Sequence, residues 1–549
     1  MAKDSRDIQF IELRDSIKML NNTIENLNSM LEDAKHREQE LLARISNLQE
    51  QNEYLTKKLF GSSSEKRDDI EGQLSFFNEA ESESTTLDPI EKEFVTVPAH
   101  SRKKKTRMAD KFANLPVQKE YIDIPEDDRF CDVCGHALER IGEEFVRREI
   151  EIIKPSIKVI EYYSITYGCP ECKVNAEIPK IVKGRDKQQH MLHGMASAGT
   201  VAWVMYQKYV NALPLYRQEK DFKLMYGVDI SRSTIANWIT LNAEEFFTPL
   251  CDYFKRKLVA GRYAMADETP VQVLKEPGRR PETKSYMWVF RSGEFDSDQM
   301  VLFHYSETRA GETAKEFLNG FHGYLMTDGY GGYNKLKNCK RTSCWAHVRR
   351  YLIDAIPKGS QYDYSLPAVQ GLVYVDKLFE MERKIHMQKG VPFNAIKDFR
   401  IEKEKPVLDA FWKWLDDQTA TKGCRFEKAL IYIRNRKPFL ETYLEDGGCS
   451  FSNNTSERSC KAFVTGRKNW LFSDTPKGAA ASANVYSIVE TAKANDVDVY
   501  LYLKYLLQKT PTKKTSDEEL EKLCPWNPEC QDALERMKVE YYKSLTESR

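Results

Sequence analysis

Three carboxylates stand out by their surroundings. Asp267 lies in RYAMADETPVQVL, a β-branched and apolar run that reads as a half-buried strand. An ionised side chain there is costly unless it is paired or bound to a cation. Asp328 precedes Gly329, Gly331 and Gly332 in GYLMTDGYGGY, where bare backbone would let a substrate come close. Glu457 is the lone acid of FSNNTSERSCKAFVTGRKNW, among Asn453, Asn454, Arg458, Lys461, Arg467 and Lys468. A Glu457–Lys461 pair one helical turn apart is worth only about 0.2–0.5 kcal/mol and leaves the amides and other cations unexplained. Carboxylates holding divalent cations beside phosphate-binding side chains account for the whole cluster. Two hard ions about 4 Å apart would activate an attacking oxygen and stabilise a leaving one. Taken singly, Asp328 also reads as a turn cap and Asp267 as a strand-end ion pair.

Four of the 12 cysteines form a second chemical pattern, Cys131 and Cys134 in FCDVCG and Cys169 and Cys172 in YGCPEC, with 34 residues between the pairs. Thiolates two residues apart on a turn can face one ion, and two such turns complete a tetrahedron. The β-branched and aromatic segment between them is strand-like. The expectation is a zinc ribbon with a closed, structural Zn²⁺ site; four buried free thiols are the alternative.

The elements that must position the acids follow from periodicity. RYAMADETPVQVL, KSYMWVFRS and MVLFHYSE are three β-rich runs, followed by helical GETAKEFLNGF and the strand of GYLMTDGYGGY. Three strands in a meander, a helix and a fourth strand give the opening order of an RNase H-like fold. Its first and fourth strands are neighbours, so Asp267 and Asp328 would meet at one sheet edge. A long, mostly helical stretch containing CWAHVRRYL and FWKWLDD separates them from a helix that opens at Asn453. Upstream, residues 190–245 read as helices in which Gly227 ends one and the Ser231 hydroxyl caps the next. Short helix, glycine turn and second helix fit a helix-turn-helix with Arg232, Ser233, Thr234 and Asn237 facing DNA. An ordinary helical packing domain fits the pattern equally.

At the N-terminus, Ile17, Ile24 and Ile45 at a, with Leu20, Leu27, Leu41, Leu48 and Leu55 at d, mark heptads over residues 13–59. Ile at a, Leu at d and Asn52 at a further a position predict a parallel two-stranded coiled coil, hence self-association. Residues 61–112 lose all periodicity and read as a linker, whose Arg102–Lys105 run is basic. With 83 Lys and Arg against 83 Asp and Glu, any nucleic-acid surface must come from local clustering. No apolar run is long enough to span a bilayer, and MAKDSRDIQF lacks a secretory apolar core, so a cytoplasmic protein without a membrane partner is expected.

The blocks together resemble transposases of the IS-sixty-six insertion-sequence family. The matching stretches are LPLYRQE (213–219), GVDISRSTIANWI (227–239), ADETPVQVL (266–274), TDGYGGYNKL (327–336) and CWAHVRRYL (344–352). SNNTSERSCKAFVTGRKNWLFSDTPKGAAASANVYSIVETAK (452–493) and LEKLCPWNPE (520–529) continue the match, as do the zipper and the paired CxxC segment. The resemblance implies a DDE-type transposase using Mg²⁺ or Mn²⁺, with Asp267, Asp328 and Glu457 as catalytic acids and His347 and Arg350 as ancillary residues. Water would cut a phosphodiester at the transposon end, and the freed 3′ hydroxyl would attack target DNA. Arg458, Lys461, Arg467 and Lys468 would contact the DNA backbone. Ser452 stands where the family's motif opens with Asp.

The expected architecture is a multidomain α+β chain. It comprises a coiled coil (1–60), linker (61–112), zinc ribbon (113–185), helical DNA-binding domain (186–255), RNase H-like core (256–508, helical insertion about 353–450) and tail (509–549). Expected partners are double-stranded DNA, at transposon ends and target, and a second copy of the chain. Accessory proteins of the same element are further candidates, and the nucleoid is the expected location. The alternatives are a nuclease of the same fold that cuts without joining, and an inactive DNA-binding relative.

Overall fold

The computed structural model describes residues 190–547 except 389, together with 157–168, 181–184 and positions 19, 28, 31, 32, 35 and 37. Those six positions are helical; the rest of the heptad segment, the linker, Cys131, Cys134, Cys169 and Cys172 lie outside the described residues. The chain divides into two compact units. One contains the helical segment 342–452; the other combines residues 92–341 with 453–549.

In the second of these, β1 (Thr166–Gly168) pairs antiparallel with β2 (Ile181–Lys183). Four helices follow: α1 (Ala198–Tyr209), α2 (Leu215–Tyr226), α3 (Arg232–Asn242) and α4 (Thr248–Ala260). Gly227 ends α2 at φ 71°, a left-handed conformation that glycine adopts without strain. The Ser231 hydroxyl accepts from the Thr234 amide and so starts α3. Ile235, Trp238, Ile239 and Asn242 bury one face of α3, while Arg232, Ser233 and Asn237 stay exposed on the other. Ser231→Ala should cost about 1 kcal/mol of local stability, read as faster amide exchange over 232–236; unchanged exchange would show that the cap is dispensable.

The chain then enters a five-stranded sheet. β3 (Tyr263–Gln272), β4 (Lys284–Ser292) and β5 (Val301–Ser306) form an antiparallel meander. A short α5 (Gly311–Phe317) leads to β6 (Tyr324–Thr327), which runs parallel to β3, and to β7 (Lys340–Ser343). The order is β5-β4-β3-β6-β7, so β3 is central, and its residues 263–269 are all buried.

The helical segment contains α6 (Trp345–Asp354), α7 (Pro367–His386), α8 (Phe393–Phe399), α9 (Lys405–Asp416) and α10 (Arg425–Leu440). Trp345 stacks on Phe451 with centroids 5.6 Å apart, and Phe379 and Tyr443 meet Phe451 edge-on. Beneath them Arg400, completely buried, binds Glu382 through Nε (2.6 Å) and Nη2 (2.9 Å) and donates to the carbonyls of Tyr443, Asp446 and Cys449.

After residue 452 come α11 (Asn454–Trp470), α12 (Pro476–Ala494), α13 (Val499–Lys509), α14 (Asp517–Glu521) and α15 (Pro528–Glu547). The small residues of α12 let it lie on β5. Ser487 and Thr491 hydroxyls accept from the amides of Phe303 (2.8 Å) and Val301 (3.0 Å), which covers an edge strand that would otherwise template another chain. The tail is tied to α4: Glu521 accepts from Tyr253 (2.5 Å) and Trp526 (3.1 Å), pairs with Lys257, and Trp526 packs on Phe254.

Candidate active site

The β3–β6 register pairs Ala264 with Leu325 and Met265 with Met326. Carried two residues further, it sets Asp267 beside Asp328, just where β6 has ended and the two strands no longer bond. Crevices beyond the carboxyl ends of parallel strands are the usual ligand sites of such sheets. Asp267 is 6% exposed. Its Oδ1 accepts from the Glu268 amide at 2.8 Å. Asp328, half-buried, accepts from the Tyr330 amide through Oδ1 at 2.9 Å, which closes a tight local turn.

Glu457 is delivered by α11. Its first two turns are fixed to the sheet by Arg291, whose Nη1 donates to the Ser459 hydroxyl (3.1 Å), and by Thr455, which donates to Glu294 (2.9 Å). At its other end Arg467 donates to the Pro270 carbonyl. In a strand the N–H and C=O of one residue point to the same side, so the N–H that Pro270 lacks is directed off the β4 ladder. Residues 471–474 then return along the end of β3, with Ser473 bonding Gln272 and Leu274. Arg458 and Lys468 are exposed, whereas Lys461 and Arg467 are partly covered. Trp470 meets Phe463 edge-on, 5.5 Å between centroids.

The electrostatics show how closely these groups gather. Burial first, then the charges of Glu268, Asp328 and Glu457, push the Asp267 carboxyl well above the usual carboxylate range. Burial first, then the charges of Asp267 and Glu268, a hydrogen bond to Asp267 and the charge of Glu457 likewise push up the Cys460 thiol, one turn beyond Glu457 on α11. The three acids singled out by sequence therefore come together. A fourth, Glu268, joins them, and no signal in its strand pattern distinguishes it from an exposed alternate residue. Burial and Asp328 raise Glu268 to about 7, against the opposing pull of Tyr333 and Arg309. Its Oε1 takes both Nε (2.9 Å) and Nη2 (2.7 Å) of Arg309, and its Oε2 accepts from Tyr333 (2.5 Å).

This donor set suits a hard divalent cation. It is all carboxylate oxygen, and it crowds negative charge in a largely buried place. With both Glu268 oxygens engaged, the ligands on offer are Asp267, Asp328 and Glu457.

Other residues singled out by sequence lie elsewhere. Arg232, Ser233 and Asn237 are exposed on α3, with Thr234 half-covered and bonded to Ser231. His347 and Arg350 share a face of α6 in the helical segment, where burial and the Arg350 cation hold His347 down to about 3 and hence neutral. No helix among the described residues is long and apolar enough to cross a membrane.

Comparison with known proteins covers most of the chain. A model described as Transposase IS66 family matches residues 193–481, just over half of the 549. A zinc-finger binding domain of transposase IS66 matches 128–173, spanning all four paired cysteines. An IS66 C-terminal element matches 487–526, and a model described as Transposase C of IS166 homeodomain matches 47–119. Among curated proteins, the uncharacterised y4qI of Sinorhizobium fredii is 27% identical over 479 residues, covering 83% of each chain. The uncharacterised y4hP of the same organism is 25% identical over 503 residues, covering 86% of this chain and 87% of its own.

Proposed function

Because the chain belongs to the IS66 transposase family, we propose that it cuts DNA at transposon ends and joins the freed 3′ hydroxyl to target DNA, with Asp267, Asp328 and Glu457 as its acids. The observation that carries this reading is the convergence of these carboxylates, with Asp267 and Glu457 buried and Asp328 half-buried. The strand order β5-β4-β3-β6-β7, with the first acid in the central strand and the second just past its parallel neighbour, supports an RNase H-like core.

In this reading the three acids act unprotonated, as ligands for Mg²⁺ or Mn²⁺. Bound there, the cations would supply Lewis-acid polarisation of a phosphodiester oxygen and a more acidic water. The remaining chemistry is positional. Exposed Arg458 and Lys468, with Lys461, hold backbone phosphates near the acids, while Arg467 fixes α11 to β3. The exposed face of α3, with Arg232, Ser233, Thr234 and Asn237, takes the duplex. Neutral His347 and cationic Arg350 serve the same reaction from α6. Cys131, Cys134, Cys169 and Cys172 hold a structural Zn²⁺, and the heptads bring two copies of the chain together.

Metal binding should show in stability, with a definite sign. Asp267 and Glu268 have native pKa values raised above 3.8 and 4.5, the latter to about 7. Their contribution to the stability of the metal-free protein is therefore fully present below about pH 4 and is lost as pH rises through 7. Cations bind the deprotonated acids and offset that loss. At a hundredfold excess over Kd the gain is about 2.7 kcal/mol, or roughly 5–10 °C for a domain of this size. The Mn²⁺-induced rise in melting temperature should be larger at pH 8 than at pH 5.5; a rise that is flat or shrinks with pH would count against carboxylate ligation.

A further inference from the structure

Glu268 sits beside the acids with both its oxygens already hydrogen-bonded, and its partners explain why it is there. Arg309, bound through Nε and Nη2 to Oε1, lies just before α5; Tyr333, bound to Oε2, lies five residues beyond Asp328. The Arg309 guanidinium also packs on the Tyr330 ring, 4.2 Å to its centroid, and the Tyr330 hydroxyl donates to the Arg309 carbonyl. Tyr330 in turn supplies the amide that holds Asp328 Oδ1 at 2.9 Å. The chain of contacts runs from β3 through Arg309 and Tyr330 and ends on the second acid. A parallel strap runs through Tyr333, whose ring also meets Tyr330 edge-on at 5.8 Å.

The loop needs such a strap. Asp328 follows a strand of only four residues and precedes three glycines in four positions. Gly331 opens a single 3-10 turn, Gly331–Lys335, and a Cβ there would meet nothing within 4 Å, so no side-chain packing holds this point of the loop. Gly332 is fixed from outside: a Cβ on Gly311 would strike its carbonyl, so α5 and this loop pack backbone to backbone. The burial is one-sided in an informative way. The Glu268 side chain is 1% exposed, while that of Arg309 is 42% exposed, so the guanidinium is not there to fill a core.

We propose that Glu268 is a positioning residue, which holds Asp328 in its cation-binding conformation by tying Arg309, Tyr330 and Tyr333 to the central strand. This rests on the reading of Asp267, Asp328 and Glu457 as a divalent-cation site. Outer partners that orient ligands change metal affinity by roughly 10–100-fold when removed, without being ligands themselves.

The test uses the full-length protein, Mn²⁺ titration followed by the electron paramagnetic resonance of free Mn²⁺, and amide exchange of residues 328–335 in the metal-free state. Glu268→Gln should raise the Mn²⁺ Kd roughly tenfold and speed exchange of the loop; Tyr333→Phe, which removes one hydroxyl and keeps the ring, should do both to a smaller degree. Asp328→Asn reports whether the acids bind Mn²⁺ at all. Glu276→Gln is the control for loss of a buried acid elsewhere, since Glu276 is bonded to Arg279, Ser285 and Tyr305; its Kd should match wild type. If Glu268→Gln and Tyr333→Phe keep wild-type affinity and exchange while Asp328→Asn loses Mn²⁺, the positioning role is overturned and the cation site stands. An equal loss in Glu276→Gln also overturns it, because the effect is then generic. If wild type binds no Mn²⁺, the cation-site reading fails, and loop exchange alone decides whether Glu268 holds Asp328. Should Glu268→Gln not fold, Tyr333→Phe carries both readouts.

Discussion

Asp267→Asn is expected to cut DNA cleavage at least about a thousandfold while raising the melting temperature of the metal-free protein. The two effects have one cause. Asp267 is buried among Glu268, Asp328 and Glu457, and its charged form is disfavoured first by burial and then by those neighbours. An amide of the same shape removes that repulsion, and each kcal/mol relieved corresponds to roughly 2–4 °C. On the proposed function it would also remove a cation ligand, and a cation's transition-state contribution of several kcal/mol converts to about tenfold in rate per 1.4 kcal/mol. Calorimetry with and without Mn²⁺, beside a cleavage assay, checks both. A less stable metal-free variant would mean that Asp267 is a structural ion pair, the bland reading of its strand position.

Arg400→Met is expected to destabilise the helical segment by about 3–5 kcal/mol, the usual cost of leaving a buried charge unpaired. Although burial acts to raise it, the Arg400 and His386 partners keep Glu382 below the usual range, so it is an anion that would lose its main counter-charge. Glu404 would not compensate: burial and Glu382 push it up to about 9, so it is already neutral, with its Oε2 accepting from Tyr443 at 3.0 Å. Three carbonyls, of Tyr443, Asp446 and Cys449, would also lose their donor. Urea denaturation followed by amide exchange over α7 and residues 442–449 reads the change; a loss below about 1 kcal/mol would show that the network is incidental.

Much of the local structure was legible because each signal is local. Gly227 ends α2 and Ser231 caps α3 as their types dictate. The acids were legible for a different reason: a charged residue inside an apolar strand, or alone among cations, contradicts its surroundings. Long-range pairings left no such mark. Arg309 meets Glu268 across 41 positions and Arg400 meets Glu382 across 18, and no periodicity encodes either. Arg467 looks identical in sequence to the exposed Lys468 beside it, yet it is partly covered and spends a donor on Pro270. The glycines after Asp328 carried a half-legible message. Their bare backbone does permit close approach, but at Gly332 the group that occupies the space of a Cβ is the Tyr330 ring of the same loop.

Strand joining tests the account most directly. Purified full-length protein, Mg²⁺ and labelled duplexes carrying the DNA ends that flank the gene would be incubated with a target duplex, wild type beside Asp267→Asn and Glu457→Gln. The account predicts cut ends and joined products from wild type and neither from the variants, all three binding the ends alike. Cutting without joining would instead identify a nuclease of the same architecture. Joining that survives either substitution would contradict the assignment of the three acids.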